Sequence, residues 1–500
     1  LKTNGIILGE FQKNLMIQPT DSSAPNRNHF VVGGPGSYKT QSYVMTNVLN
    51  ERECSIVVTD PKGEVYEKTS EIKRKQGYDV RVVNFSNMVS SDRYNPFDYV
   101  KKDIHAATVA NTIVAAKNDP KKKDIWYNSQ LSLLKALILY SINEMKPSEQ
   151  NMTGILDFLQ EFDPERDKSK GVSELDEQFL MLDRRNPARR AYELGFMKSQ
   201  EETRASIVIS LLTTIGDFVD DEVAAFTSFS DFFVGDVGKR KIVVYVIIPV
   251  MDSTWEGLIN LFFNQMFNEL YRIGAENNAK LPQSVFFILD EFPNLGRFDD
   301  YERFLATCRG YGIGVGTIVQ NITQLQAIYG KEKSESIIGN CAVKICLGNV
   351  NETSGKFFME QMGKATVKVE TGSTSKSRGK SESNSASESF NYTGRNLKNL
   401  DEILTMPDHE SIVIIAGKRP VIANKAFQYK LFPGIIPQSN QDNKFLVRQV
   451  DYENEPTEEV LTAFEEKIQA FDQSQEQKRE EQQENQMDAA ENFFNQEANG

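Results

Sequence analysis

Residues 29–40 read His29-Phe30-Val31-Val32-Gly33-Gly34-Pro35-Gly36-Ser37-Tyr38-Lys39-Thr40, and a helix-like run, Gln41 to Leu49, follows. An apolar strand, a glycine-rich loop, Lys-Thr and a helix form the arrangement that wraps a nucleotide phosphate. Backbone N–H groups line such a loop, and the helix N-terminus adds positive potential. Lys39 reaches the β- and γ-phosphates, and Thr40 offers its hydroxyl to Mg²⁺. Gly33, Gly34, Pro35, Gly36, Ser37, Tyr38, Lys39 and Thr40 are therefore the candidate nucleotide-binding residues. The pattern G-x-x-x-x-G-K-[ST] has one departure, because Tyr38 stands where the last glycine is usual. A bulky residue fits there only if the backbone conformation is not one reserved for glycine. Taken alone, the segment also reads as a Gly-Pro turn at a strand end.

A second segment, Val285-Phe286-Phe287-Ile288-Leu289-Asp290-Glu291, is an apolar run ending in two carboxylates and bounded by Pro282 and Pro293. Continuous hydrophobicity of this length suits a strand buried on both faces of a parallel sheet. Its carboxylates then fall at the C-terminal end, where open α/β sheets bind ligands. Asp290 is the candidate to hold Mg²⁺, partly through water, together with Thr40. Glu291 is the candidate to polarise the water attacking a γ-phosphate. The competing reading is a strand that ends in a solvated acidic turn.

The chain has 500 residues, which is long for one compact core and suggests two or three units. Its 39% hydrophobic and 25% charged residues are ordinary for a globular protein. No stretch approaches the ~20 apolar residues of a membrane span. The sequence opens at Leu1 without a signal-peptide pattern and reads as a fragment with more chain upstream. Four scattered cysteines and three distant histidines give neither a disulfide framework nor a metal-ligand spacing, which fits a reducing cytosol. The net charge is −13, yet from Asp451 onward there are fifteen acidic and three basic residues. The remainder is close to neutral, which leaves room for a basic patch.

Strand candidates are 29–33, 55–59, 80–85, 241–248, 285–289, 313–319, 343–347 and 411–416. Their alternation with helical patterns predicts an α/β fold with a mostly parallel sheet. Trp126 to Ile142, Gly154 to Phe162, Leu175 to Leu182 and Arg204 to Phe218 read as helices of an inserted all-α domain, with Trp126, Leu133, Leu134 and Leu137 in its core. The expected division is 1–102 and 228–450 for a nucleotide-binding domain, 103–227 for the all-α domain, and 451–500 for an acidic, largely disordered tail. The Ser-rich stretch Thr371 to Asn391 reads as a mobile loop. In the tail, Val460, Phe464, Ile468 and Phe471 recur at helical spacing and predict a short amphipathic helix.

Further segments fit together. Thr59-Asp60-Pro61-Lys62-Gly63-Glu64 follows the second strand, and Arg93-Tyr94-Asn95-Pro96-Phe97 the third. Arg309-Gly310-Tyr311-Gly312-Ile313-Gly314 leads into a strand ending at Gln320-Asn321, with Gln324-Leu325 beyond. With the loop at 33–40 and Asp290-Glu291, this set resembles the type IV secretion coupling proteins of the TraG/TraD class, over about residues 5–435. The Lys- and Asn-rich composition and acidic tail resemble versions from Gram-positive conjugative plasmids. The resemblance implies a RecA/FtsK-like P-loop NTPase that uses ATP and Mg²⁺. It implies a hexamer anchored at the cytoplasmic face of the cell membrane by an N-terminal region not in this chain. It also implies that DNA, relaxase, accessory processing proteins and secretion-channel subunits are its partners. Under it, Gln320 corresponds to a glutamine that senses the γ-phosphate, and Arg309 to a candidate arginine finger donated across a subunit interface. A strand-cap hydrogen bond for Gln320 and a local ion pair for Arg309 are the plainer readings. Two other functions stay open: an FtsK-like duplex-DNA translocase, and a weakly hydrolysing docking platform for relaxase complexes.

Overall fold

A computed structural model describes residues 4–118, 124–162, 174–199, 201–249, 254–298, 300–377, 383–436 and 455–497. It divides the chain into two compact units. The first comprises residues 1–80, 237–245 and 273–444; the second comprises 81–236, 246–272 and 445–500.

The strands are β1 (Ile6–Phe11), β2 (Asn14–Gln18), β3 (Asn28–Val32), β4 (Ser55–Thr59), β5 (Asp79–Asn84), β6 (Ile242–Ile247), β7 (Val285–Leu289), β8 (Ile313–Val319), β9 (Val343–Cys346), β10 (Lys364–Ser377), β11 (Ser383–Asn396), β12 (Glu410–Ile415) and β13 (Val421–Asn424). Eleven of them form one sheet in the order β2-β1-β13-β12-β9-β3-β8-β7-β4-β6-β5. The chain passes between the two units within β5 and within β6. At the centre, β3 pairs in parallel with both β8 and β9, and β7 pairs in parallel with both β8 and β4. Every residue of β3, β4, β7 and β8 is buried, as expected for strands covered on both faces.

All eight strand candidates are present. Three strands that the sequence did not announce extend the sheet. β1 and β2 form an antiparallel hairpin whose turn carries Gln12 and Lys13 at positive φ, and β13 joins β1 to β12. The Ser-rich stretch expected as a loop belongs instead to a two-stranded antiparallel ribbon, β10 with β11, in continuous register from Lys364↔Asn396 to Ser377↔Ser383. Serine recurring at alternate positions, with Phe390 as the one large apolar residue, leaves no hydrophobic period to read. Residues 378–382 lie outside the described residues.

In the first unit, the buried imidazole of His29 lies between Tyr43 Oη (2.7 Å) and Gln18 Oε1 (2.6 Å). An amide oxygen only accepts, so Nε2 donates to Gln18 and Nδ1 accepts from Tyr43. Burial, with Arg27 nearby, pushes the His29 pKa down to about 3. The neutral ring is the folded form.

The second unit contains the helices expected between 103 and 227, among them Ile125–Glu144, Met152–Gln160, Glu174–Met181 and Glu201–Ile215. Asp124 and Asn151 cap the first two by accepting from the amides of Tyr127 and Gly154. Leu133, Leu134 and Leu137 are buried, but Trp126 is 42% exposed. It occupies the first turn of its helix, beyond the buried stripe, so its placement in the core is corrected. Phe179 stacks on Tyr192 at 4.0 Å, and Asp176 joins Tyr192 Oη (2.8 Å) to Arg204 (2.6 Å).

The amphipathic stripe of the tail begins a helix, Glu458–Glu497. Its first turns pack within the second unit: Val460 is buried, Phe464 meets Phe229 edge-on at 5.2 Å, and Lys467 pairs with Asp98 at 2.7 Å. Ile468 is exposed.

The His29 arrangement makes a pH prediction. A histidine whose folded pKa lies below its unfolded value near 6.5 costs stability as pH falls through that window. The unfolded chain binds the proton first, and the cost reaches about 5 kcal/mol once pH falls to the folded pKa. Melting curves between pH 7 and 4 should therefore show a steeper loss for the native chain than for His29→Gln, which keeps a donor and an acceptor but does not titrate. Equal slopes would contradict a neutral His29.

Candidate functional site

Parallel pairing of β9, β3, β8, β7 and β4 brings the segments after all five strands to one edge of the sheet. These are the loop at 33–40 after β3, Asp60 after β4, Asp290-Glu291 after β7, Gln320 after β8 and Gly348-Asn349 after β9.

Close approach of neighbouring chain shapes the loop. Gly34 N–H donates to Gly348 O (3.1 Å), and Gly33 N–H to Val319 O (3.1 Å). A Cβ on Gly34 would lie 1.7 Å from the Asn349 carbonyl oxygen, and one on Gly33 2.4 Å from Ser37 Oγ. Gly34 thus allows close contact with the segment after β9 and Gly33 allows the loop to close on Ser37, and the amides of both are already engaged. The amides of Gly36, Tyr38, Lys39 and Thr40 carry no hydrogen-bond partner among the described residues. Ser37 Oγ is buried and also without a partner. Pro35 and Gly36 are exposed, with Asn349 Nδ2 donating to Pro35 O (3.2 Å).

Tyr38 adopts φ +61°, so its backbone takes the left-handed conformation a glycine would have. For a side-chain-bearing residue this costs roughly 1–2 kcal/mol, which is tolerable where the surroundings hold it. Thr40 then opens a π-helical turn, Thr40–Val44, that leads into the helix Met45–Asn50. Lys425, just after β13, was not signalled by the sequence. Its Nζ donates to Ser37 O (3.1 Å) and anchors the loop from below, while burial pushes its pKa down to about 8.

Lys39 Nζ lies 2.7 Å from Gly33 O and 3.9 Å from Glu291 Oε1. Gln320 Nε2 donates to both carboxylate oxygens of Glu291, at 3.0 Å each. The Gln320 amide in turn donates to Gln324 Oε1 (3.2 Å). Three residues assigned on separate strands therefore meet. Glu291 itself sits at φ +51°, ψ +44°, and Asn349 at φ +52°. With Tyr38, three non-glycine residues in left-handed conformation gather at this edge, the kind of local strain that concentrates at working sites.

Asp290 is buried. Thr59 Oγ1 donates to its carbonyl (2.7 Å), and its carboxylate accepts from the Glu291 amide (3.1 Å). Burial, then repulsion from Glu291, pushes its pKa up to about 7. Asp60 is pushed to about 7 by burial, although its carboxylate accepts from the Tyr66 amide (2.8 Å) at the start of the helix Glu64–Lys75. Pro61-Lys62-Gly63 form the turn into that helix, with Gly63 at φ +73°.

Arg309 is placed elsewhere. It precedes β8, at the opposite edge of the sheet from Gln320, and the seven residues of that strand put about 20 Å between them. It is exposed, without an ion pair among the described residues, and lines a cleft of about 600 Å³ together with Arg27, Lys280 and Asp21. The local ion pair is therefore not what is found. Nor does Arg309 reach the loop of its own chain.

The donor set fits a triphosphate with a hard cation. Four unpaired amides, the Lys39 ammonium and Ser37 Oγ suit anionic oxygens. The Thr40 hydroxyl and the Asp290 carboxylate are oxygen ligands of the kind Mg²⁺ takes. No helix among the described residues is long and apolar enough to cross a membrane.

Comparison with known proteins finds similar sequences and a similar fold. The chain is 25% identical to Protein VirD4 of Agrobacterium fabrum over 390 residues, covering 75% of this chain and 55% of that protein. It is 26% identical to Conjugal transfer protein TraG of Escherichia coli over 374 residues, covering 71% and 58%. It thus spans little more than half the length of these curated relatives. Among solved structures, it resembles the unbound bacterial conjugative coupling protein TrwBdeltaN70, with a TM-score of 0.59 at 15% identity over 85% of this chain and 89% of that one. The structure of plasmid coupling protein TrwB with ADP and Mg²⁺ matches with a TM-score of 0.58 at 15% identity, over 85% and 89%. The family model described as type IV secretory system conjugative DNA transfer matches residues 8–497, and the chain belongs to that family.

Proposed function

We propose that this chain is the ATP-hydrolysing motor and substrate receptor of a conjugative coupling protein. The observation that carries the reading is the meeting of Lys39, Glu291 and Gln320 beside a loop with four unpaired amides. Lys39 and those amides would hold the phosphates, and Thr40 and Asp290 would hold Mg²⁺, partly through water. Bound Mg²⁺ supplies charge neutralisation on the phosphate oxygens. Glu291 orients the attacking water, and Gln320 fixes the Glu291 carboxylate and responds to the γ-phosphate. Chemistry of this kind is mainly positioning and electrostatics. Arg309, remote from its own loop, would act on the nucleotide of a neighbouring copy in a ring, taken to be a hexamer. A guanidinium suits that task because its charge is permanent and its donors are forked.

DNA, bound without sequence preference, a relaxase with its accessory proteins, and secretion-channel subunits are the proposed partners. The proposed place of work is the cytoplasmic face of the cell membrane. The likeness to TrwB, whose structures include complexes with nucleotide, and the family membership support these assignments.

Lys39→Ala and Glu291→Gln should separate binding from hydrolysis. Lys39→Ala weakens ATP binding in a nucleotide titration. Glu291→Gln still binds ATP but releases phosphate about 100-fold more slowly, the scale for losing a positioned catalytic group. Wild-type turnover in Glu291→Gln would remove Glu291 from the mechanism.

Mixing Arg309→Ala with Glu291→Gln subunits should restore part of the ATPase rate under conditions where sedimentation shows rings. Each mutant supplies the group the other lacks. Rings without any recovery would exclude donation in trans.

DNA affinity measured by anisotropy should fall steeply with salt, roughly 1000-fold between about 50 and 200 mM for about six phosphate contacts. A flat salt profile would exclude a phosphate-based mode.

A further inference from the structure

An aromatic group beside the phosphate loop has no part in the chemistry above. Tyr38 is 45% exposed and Tyr429 is 51% exposed, which is unusual for two large rings so near one site. Buried Phe427 links them: it meets Tyr38 edge-on at 5.7 Å and lies tilted against Tyr429 at 5.3 Å. The segment that carries Phe427 and Tyr429 is tied along the loop and its helix. Lys425 Nζ donates to Ser37 O (3.1 Å), Thr46 Oγ1 to Ala426 O (2.8 Å) and Gln428 Nε2 to Gln41 Oε1 (2.9 Å). The two exposed rings are therefore held at a set distance from the phosphate site, one of them on the residue next to Lys39.

Tyrosine at position 38 makes sense in this light. Glycine would hold φ +61° without strain, so the ring must contribute something that offsets the cost of that backbone. Its own hydroxyl has no hydrogen-bond partner among the described residues; its ring packs edge-on with Phe427, has the Lys425 ammonium 5.8 Å from its centroid, and still leaves the residue 45% exposed. What remains is an exposed π-face adjoining the place where a nucleotide's phosphates bind. A nucleotide seated at Lys39 must extend its sugar and base away from the loop, and a planar base is the group that a pair of exposed rings fits.

We propose that Tyr38 and Tyr429, set by Phe427, form a stacking platform for the base of the bound nucleotide. This rests on the nucleotide-binding reading of the loop. Stacking uses the π-face that every base has, so the platform favours purines for their larger area and does not choose between adenine and guanine.

The test compares ATP with inorganic tripolyphosphate, which has the phosphates but no base, each with Mg²⁺, by calorimetry on the whole chain. Tyr38→Ala, Tyr38→Gly and Tyr429→Ala should each weaken ATP binding by about tenfold, the scale of losing one aromatic–base stack. Tyr429→Ala, outside the phosphate loop, should leave tripolyphosphate affinity within about twofold, and each Tyr38 variant should lose about fivefold more affinity for ATP than for tripolyphosphate. Tyr38→Gly is the sharpest case, because it relaxes the backbone while removing the ring. ATP affinity that is unchanged or tighter in Tyr38→Gly, or equal losses for ATP and tripolyphosphate in the alanine variants, would overturn the platform. Failure of the underlying reading looks different: Lys39→Ala would then leave both ligands bound as before.

Discussion

Parallel pairing of β9, β3, β8, β7 and β4 is the constraint on which the site depends. Neighbouring parallel strands must end at the same edge. Once the apolar runs are buried in this order, the segments that follow them have no other place to go. The phosphate loop, Asp60, Asp290-Glu291, Gln320 and Asn349 come together although they are spread over more than 300 residues. The same constraint sends Arg309 to the far edge, because it enters β8 where Gln320 leaves it. One rule of strand geometry thus assembles the group around Lys39 and withholds Arg309 from it.

The legible part of the site was the part that obeys a local pattern. A loop with three glycines and Lys-Thr, and an apolar run ending in Asp-Glu, announce themselves because backbone shape and burial each demand a particular residue type. Gln320 was legible only through resemblance, since a glutamine at a strand end has many uses. Asn349 and Lys425 gave no signal. Their roles arise from tertiary approach: a carbonyl oxygen against Gly34 and an ammonium under Ser37, both brought in by strands far along the chain. The same distinction holds for the fold. Strands covered on both faces show as continuous apolar runs. Strands β2 and β13 have no such double burial, and the buried run of β1 is only four residues long, so these passed unread.

Local strain and buried charge accumulate at this edge and bear on each other. Tyr38, Glu291 and Asn349 hold left-handed backbones. Glu291 in that conformation turns the chain sharply after β7. Its carboxylate is held by Gln320, while its amide is given to Asp290. Two acidic neighbours thereby face different surroundings. Asp290 is buried and pushed up to about 7, whereas Glu291 lies within reach of Lys39. Close carboxylates with unlike environments separate in function, one toward holding a cation and the other toward handling a proton or a water.

The proximity of Asp60 completes that electrostatic argument. Asp60 and Asp290 are both buried at strand ends; burial raises both pKa values, and Asp290 adds to the rise of Asp60. Two raised carboxyls on one side, with Lys39 and unpaired amides on the other, leave a charge distribution that the protein alone does not neutralise. An anion on the amide side and a divalent cation on the carboxylate side would satisfy both at once, and neither alone would. On the proposed function, the folded chain is in this sense complementary to a phosphate together with its metal. That complementarity follows from where five parallel strands end, which is why the fold and the chemistry are read from the same residues.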